Sequence, residues 1–169
     1  MPETDFTLIP AKQEDMEYVL DRLVEAYFEN SFPLFGPERS REQVRAECRY
    51  YLDPHATSGI RSRLTSSKKK PPHDILLGVD AGGAKAGCMI IGVNKGAGLD
   101  VAWVYLLFVE RESRRHGLGR LMLARAEEWA REHGMKALML SVKTQNEGAM
   151  DLYGSFGLKP CKMWMRKIL

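Results

Sequence analysis

Apolar positions in this chain keep two rhythms: steps of three and four in its early and late segments, and nearly continuous runs between them. From Asp15 onward, Met16, Val19, Leu20, Leu23, Val24 and Tyr27 recur at three and four, the mark of a helix with one buried face. "REQVRAECRYYLD" resumes that rhythm as far as Asp53 and Pro54, after a breaker-rich loop from Asn30 to Ser40. Ahead of both, Phe6 to Ile9 reads as a short strand stopped by Pro10.

A polar, basic, proline-ended stretch from Thr65 to His73 reads as a solvated linker. Beyond it, "DILLGVDA", "AGCMIIGV" and "VAWVYLLFVE" predict three consecutive antiparallel strands joined by turns at "GGAK" and "NKGAGLD". A helix then opens within Arg114 to Trp129 and ends near His133, where Gly134 stands in the place of a left-handed cap. "KALMLSVK" predicts a strand, "NEGAMDLYGSF" a short helix stopped by Gly157, and "CKMWMRKIL" a last strand. The order is β-α-α-β-β-β-α-β-α-β, an α/β fold with a mixed sheet in one domain over residues 1–169. Its strand-helix-strand unit from Val101 to Lys143 implies two parallel neighbours joined by a right-handed crossover.

Composition narrows the class. Hydrophobic content of 44% and charged content of 28% in 169 residues describe a soluble globular chain. A net charge of +3 gives no global reason to expect nucleic acid or a membrane as partner. Three cysteines, Cys48, Cys88 and Cys161, are odd in number and far apart, which suggests neither a disulfide framework nor a metal site. With acidic residues and no apolar core at the start, a cytoplasmic location is the expectation.

The stretch "RRHGLGRLMLARAEEW" then demands a reason, because glycines and clustered arginines are a poor way to begin a helix. A helix start exposes amides without intrahelical partners, and with the helix dipole they attract an anion such as phosphate. Gly117 and Gly119 permit close approach, and Arg114, Arg115 and Arg120 add positive charge. A solvated basic turn is the plainer alternative. A Walker loop is absent, and "GLGRLM" departs from the dinucleotide fingerprint with Met122 at the third glycine position.

A second cluster sharpens the choice. Val109-x-x-x-x-Arg114-x-x-Gly117-x-Gly119, followed by Asn146-x-x-Ala149-x-x-Leu152-Tyr153-x-x-x-Gly157, resembles the GNAT N-acetyltransferase superfamily. The motifs span roughly Val101 to Leu158, and the element order fits nearly the whole chain. Ser113, where an aromatic or histidine is common, and Leu158, where phenylalanine is usual, depart from the pattern without touching the chemistry.

The resemblance implies acetyl-CoA as cosubstrate, with no metal, held in a cleft where two parallel strands splay apart. Leu107 and Val109 would present backbone groups to the pantetheine arm. The backbone of Arg114, Arg115, His116, Gly117, Leu118, Gly119 and Arg120 would hold the pyrophosphate. Asn146 would hydrogen-bond the pantetheine, although an asparagine there also suits a helix cap. The Val109 amide would stabilise the oxyanion formed when an amine attacks the thioester, and Tyr153 would give its proton to the departing sulfur.

No base is assigned for the attacking amine; Asp100, Tyr105, Glu29 and a water chain stand equal. His55 and His73 read as ordinary surface loop residues. Aromatics Tyr27, Phe28, Phe32, Phe35, Tyr50 and Tyr51 either wall an acceptor site or fill the core. The leading reading is transfer of acetyl to a primary amine of a small molecule or peptide, in a ternary complex. A non-catalytic acyl-CoA sensor and a nucleotide-binding domain are the alternatives, and a homodimer through a sheet edge or the last strand is left open.

Overall fold

The apolar runs of the middle of the chain assemble into one sheet, and its register explains where the helices sit. The computed structural model describes residues 5–30, 39–52, 73–94 and 100–161. Strands β1 (Phe6–Pro10), β2 (His73–Asp80), β3 (Lys85–Asn94), β4 (Val101–Val109) and β5 (Ala137–Leu140) lie in that spatial order. The first three pairings are antiparallel, and β4 pairs with β5 in parallel, giving the mixed sheet expected. The expected last strand beyond Cys161, the turn at 95–99, the linker at 65–72, His55, Phe32 and Phe35 lie outside the described residues. His73, expected in a loop, opens β2 because its backbone pairs with Gly92 of β3.

Helix α1 (Met16–Asn30) starts where Asp15 accepts from the Lys12 amide at 2.8 Å and pairs with Lys85 at 2.6 Å, tying its first turn to β3. Helix α2 (Arg41–Leu52) opens with a reciprocal box: the Gln43 amide donates to Ser40 Oγ, and the Ser40 amide to Gln43 Oε1. Arg45 and Arg49 of α2 pair with Glu17 of α1, and Arg45 also with Asp21. Helix α3 (Leu118–Glu132) follows β4, and helix α4 (Glu147–Ser155) follows β5. Gly134 takes the left-handed conformation expected of a cap, with φ 69°.

The two faces of the sheet carry different cores. Met89, Ile91, Ala102 and Val104 pack with Leu118, Met122, Ala126 and Trp129 of α3. Cys88, Ile90, Leu106 and Phe108 pack with Val19 of α1 on the other face. Strand β3 is therefore buried on both sides, as its unbroken apolar run requires.

Gly78 and Gly87 are cross-strand partners on the α3 face. A Cβ on Gly78 would stand 2.7 Å from Leu118 Cδ1, and one on Gly87 would stand 2.4 Å from the Phe108 carbonyl oxygen. The bare patch lets the first turn of α3 settle directly on the sheet beside the end of β4.

Candidate active site

The start of α3 is built around two left-handed residues, Arg115 at φ 67° and Gly117 at φ 91°. Such a conformation is routine for glycine and costs an L-residue about 1–2 kcal/mol. Gly117 is the N-cap, with no side chain capping it, and the first turn holds no acidic residue. The Leu121 amide donates to the Gly117 carbonyl at 3.0 Å, closing the helix. The amides of Leu118, Gly119 and Arg120 precede that bond and have no partner within the helix. The dipole and the alternating backbone form a concavity suited to an anion.

The side chains around it divide the work. Leu118 is 1% exposed and anchors in the core, so only its amide is available. Arg114 turns back onto β4: its Nε donates to the Val109 carbonyl at 3.0 Å, and its guanidinium lies 5.9 Å from the Phe108 ring centre. Arg120 lies over Phe156 at 5.7 Å, joining α3 to the end of α4. His116 and Arg115 are exposed. A Cβ on Gly119 would stand 2.9 Å from Leu152 Cδ2, so this glycine also lets α4 close on the helix start.

Beside this concavity the sheet opens. Pairing of β4 with β5 runs from Val101 with Ala137 to Val104 with Leu140 and goes no further. At the same place β4 carries an extra residue: Ile90 faces Leu106 and Ile91 faces Val104, so that the register with β3 skips Tyr105. The slip is visible in the packing, since Tyr105 and Leu106 are consecutive yet both join the core on the α1 face. A bulge of this kind bends the strand that carries it. Thus β4 leaves β5 at Tyr105, and β5, expected to continue through Lys143, ends at Leu140 for want of a neighbour.

Backbone direction beyond the bulge follows from one bond. The Glu110 amide donates to the Ala86 carbonyl of β3 at 2.9 Å. Because backbone groups alternate edges along a strand, those of Phe108 also face β3, while those of Leu107 and Val109 face the open edge. The Val109 carbonyl is taken by Arg114, so two amides, Leu107 and Val109, are the donors on that edge.

Helix α4 contributes the remaining residues. Asn146 caps it, its Oδ1 accepting from the Ala149 amide at 3.2 Å. Tyr153 is half-buried one helical turn beyond Ala149, next to the Leu152 that touches Gly119. Burial raises its pKa above the ordinary tyrosine value, which holds the phenol in its protonated form at neutral pH. Among the described residues, no three His, Cys, Asp or Glu side chains are grouped to hold a metal ion. No helix there is long and apolar enough to cross a membrane.

Residues 40–158, more than two-thirds of the chain, match the model of the acetyltransferase (GNAT) family. The chain belongs to that family. An uncharacterised N-acetyltransferase of Methanocaldococcus jannaschii is 29% identical over 72 residues, which are 41% of this chain and 32% of that protein. The GNAT chain thus spans about a third of that relative. A Bacillus subtilis structure named as an acetyltransferase, YycN, superposes with a TM-score of 0.72 at 20% identity, over 97% of this chain and 98% of that one. A Pyrococcus furiosus protein named as an acetyl transferase gives 0.71 at 20% identity, over 97% and 99%. AAC(6′)-Iy, in complex with the bisubstrate analog CoA-S-monomethyl-acetylneamine, gives 0.62 at 12% identity, over 97% and 99%.

Within this GNAT fold the structure separates the candidate bases. Asp100 lies at the paired end of β4, its carbonyl bonded to the Lys136 amide. Nine residue steps along the strand separate it from Val109, about 30 Å at a strand's rise, which removes it from the open edge. Glu29 lies at the end of α1, where its carbonyl accepts from Lys143 Nζ at 3.1 Å. Tyr105 stands at the bulge itself. Sequence reading passed over Glu110, Tyr18 and Arg22, which meet at the end of β4; their contact joins residues 92 positions apart, and no local pattern announces it.

Proposed function

We propose that this GNAT protein transfers an acetyl group from acetyl-CoA to a primary amine, of a small molecule or a peptide, by direct attack in a ternary complex. The observation that carries this reading is the adjacency of the uncapped first turn of α3 and the open edge of β4. Pyrophosphate would lie against the amides from Arg115 to Arg120, with pantetheine running back along β4 as an added strand. The Val109 amide meets the arm first, and the Leu107 amide lies one pleat deeper; between them they supply the donors for pantetheine and for the thioester oxygen. The Asn146 side chain, at the start of α4, would donate to the arm through its amide nitrogen.

An amine nitrogen attacks the thioester carbonyl, negative charge gathers on oxygen, and the carbon–sulfur bond then breaks to release CoA thiolate. A preorganised backbone amide stabilises the oxyanion strongly. Tyr153 supplies the proton to sulfur. Its raised pKa makes it a weaker acid than a thiol near ~8.5, so transfer proceeds in step with sulfur departure, where a desolvated thiolate is a stronger base. The attacking amine, near ~10.4 when free, loses its proton to water or to a group at the bulge.

Calorimetry with CoA, ATP and NAD, followed by an amine panel with thiol detection, tests this. CoA-selective binding with thiol release on one amine class supports it. CoA binding without transfer to any amine would favour a sensor, and preference for ATP or NAD would overturn the donor site.

A further inference from the structure

Beyond the bulge, β4 is held by β3 on one edge only, so what fixes its last residues matters for any ligand on the other edge. Glu110, directly after Val109, turns its carboxylate to the α1 face and is 20% exposed. Tyr18 OH donates to its Oε1 at 2.8 Å, and Arg22 Nε lies 2.8 Å from the same oxygen in an ion pair whose N–H is not aligned as a hydrogen bond. Arg22 also pairs with Glu25 at 2.5 Å. Its guanidinium stands 5.4 Å from the Phe108 ring, and that of Arg114 stands 5.9 Å from the same ring. The Tyr18 ring carries Lys85 Nζ at 5.3 Å, and Lys85 pairs with Asp15 before α1. Charges from α1, β3 and the β4–α3 loop therefore converge on the two residues flanking Val109.

Resting on the donor site proposed above, we infer that Glu110 is a positioning residue for acetyl-CoA. It locks the end of β4 to α1 through Tyr18 and Arg22, and so keeps the Val109 amide facing the cleft. Partly buried ion pairs contribute little net stability but fix geometry, and removing one partner leaves the other charge uncompensated. The lock acts on the strand that would receive pantetheine, and leaves the helix start that would receive the phosphates untouched.

That separation sets the experiment. Titration calorimetry compares CoA with adenosine 5′-diphosphate 3′-phosphate, which is CoA without its pantetheine arm, on wild type, Glu110→Ala and Glu110→Gln. Glutamine keeps an acceptor for Tyr18 and removes only the charge facing Arg22. The expected result is CoA affinity at least tenfold weaker in Glu110→Ala, a smaller loss in Glu110→Gln, and fragment affinity unchanged in both. If Glu110→Ala fails to fold, Glu110→Gln decides. Wild-type CoA affinity in the folded variants would overturn the positioning role while leaving the donor site standing. Equal losses for CoA and fragment would overturn it in favour of general loosening, and a wild type that binds neither ligand would overturn both readings.

Discussion

Replacing Gly117 probes the helix start at the position where backbone and ligand requirements coincide. Its φ of 91° and ψ of −11° are left-handed. Alanine there costs about 1–2 kcal/mol in the folded state, offset by about 0.4–1 kcal/mol from a less flexible unfolded chain. The net, near 1 kcal/mol, lowers Tm by about 2–4 °C for a domain of this size. Gly117→Asn should lose less, because asparagine enters the left-handed region and caps helices. Gly117→Glu carries a backbone cost like that of alanine and adds a negative charge where phosphate would sit. Two unit charges 4 Å apart at a protein surface repel by about 4 kcal/mol, so even strong screening leaves more than the 1.4 kcal/mol that weakens CoA tenfold. Circular dichroism melts and CoA calorimetry read both quantities. An alanine variant as stable as wild type would refute the backbone reasoning, and a folded Gly117→Glu protein with unchanged CoA affinity would refute the phosphate site.

Tyr153→Phe should cut turnover by about 100-fold or more with Tm close to wild type, as expected for loss of a general acid. Since burial raises the Tyr153 pKa, the pH profile of the wild type should show no alkaline limb from this phenol below about pH 10; one near pH 8 would exclude it. Asp15 has its pKa lowered, chiefly by the hydrogen bond from Lys85 and then by the Lys12 amide. Its contribution to stability is therefore complete above the ordinary carboxylate value and is lost as pH falls through its lower folded value; acid melts of Asp15→Asn should show a shallower fall in Tm below about pH 4 than wild type. Burial pushes the thiols of Cys48 and Cys88 up to about 11 and about 12, whereas Cys161 is exposed. Native protein should thus release one equivalent with a thiol reagent at pH 8, and denatured protein three; three from native protein would contradict the packing.

The helices were legible from their apolar period and the middle strands from their continuous apolar runs, and the β4–α3 loop stood out because glycines and clustered arginines suit an anion at a helix start. Several features that shape the cleft were not. The run "VAWVYLLFVE" is apolar throughout, so a one-residue slip at Tyr105 leaves no trace in composition. The premature end of β5 is a consequence of that slip and is equally silent. Gly78 and Gly87 read as interruptions within strands, and only their pairing beneath Met122, with Leu118 seated on Gly78 and the Phe108 carbonyl against Gly87, shows why they are there. Arg114 read as a phosphate ligand by charge, and the structure directs its guanidinium to the Val109 carbonyl. The tie among Tyr18, Arg22 and Glu110 depends on tertiary distance, which periodicity does not encode.

The extra residue in β4 also makes the strand a splice between two independent packing registers. Ala102 and Val104 before it face α3, and Leu106 and Phe108 after it face α1. Excising Tyr105 would leave Val104 facing α3 and Phe108 facing α1, restoring plain alternation, and without the bulge the two parallel strands would zip shut over the space a ligand needs. Length in this segment is therefore under tighter constraint than residue type: many substitutions preserve the opening, and a single deletion abolishes it.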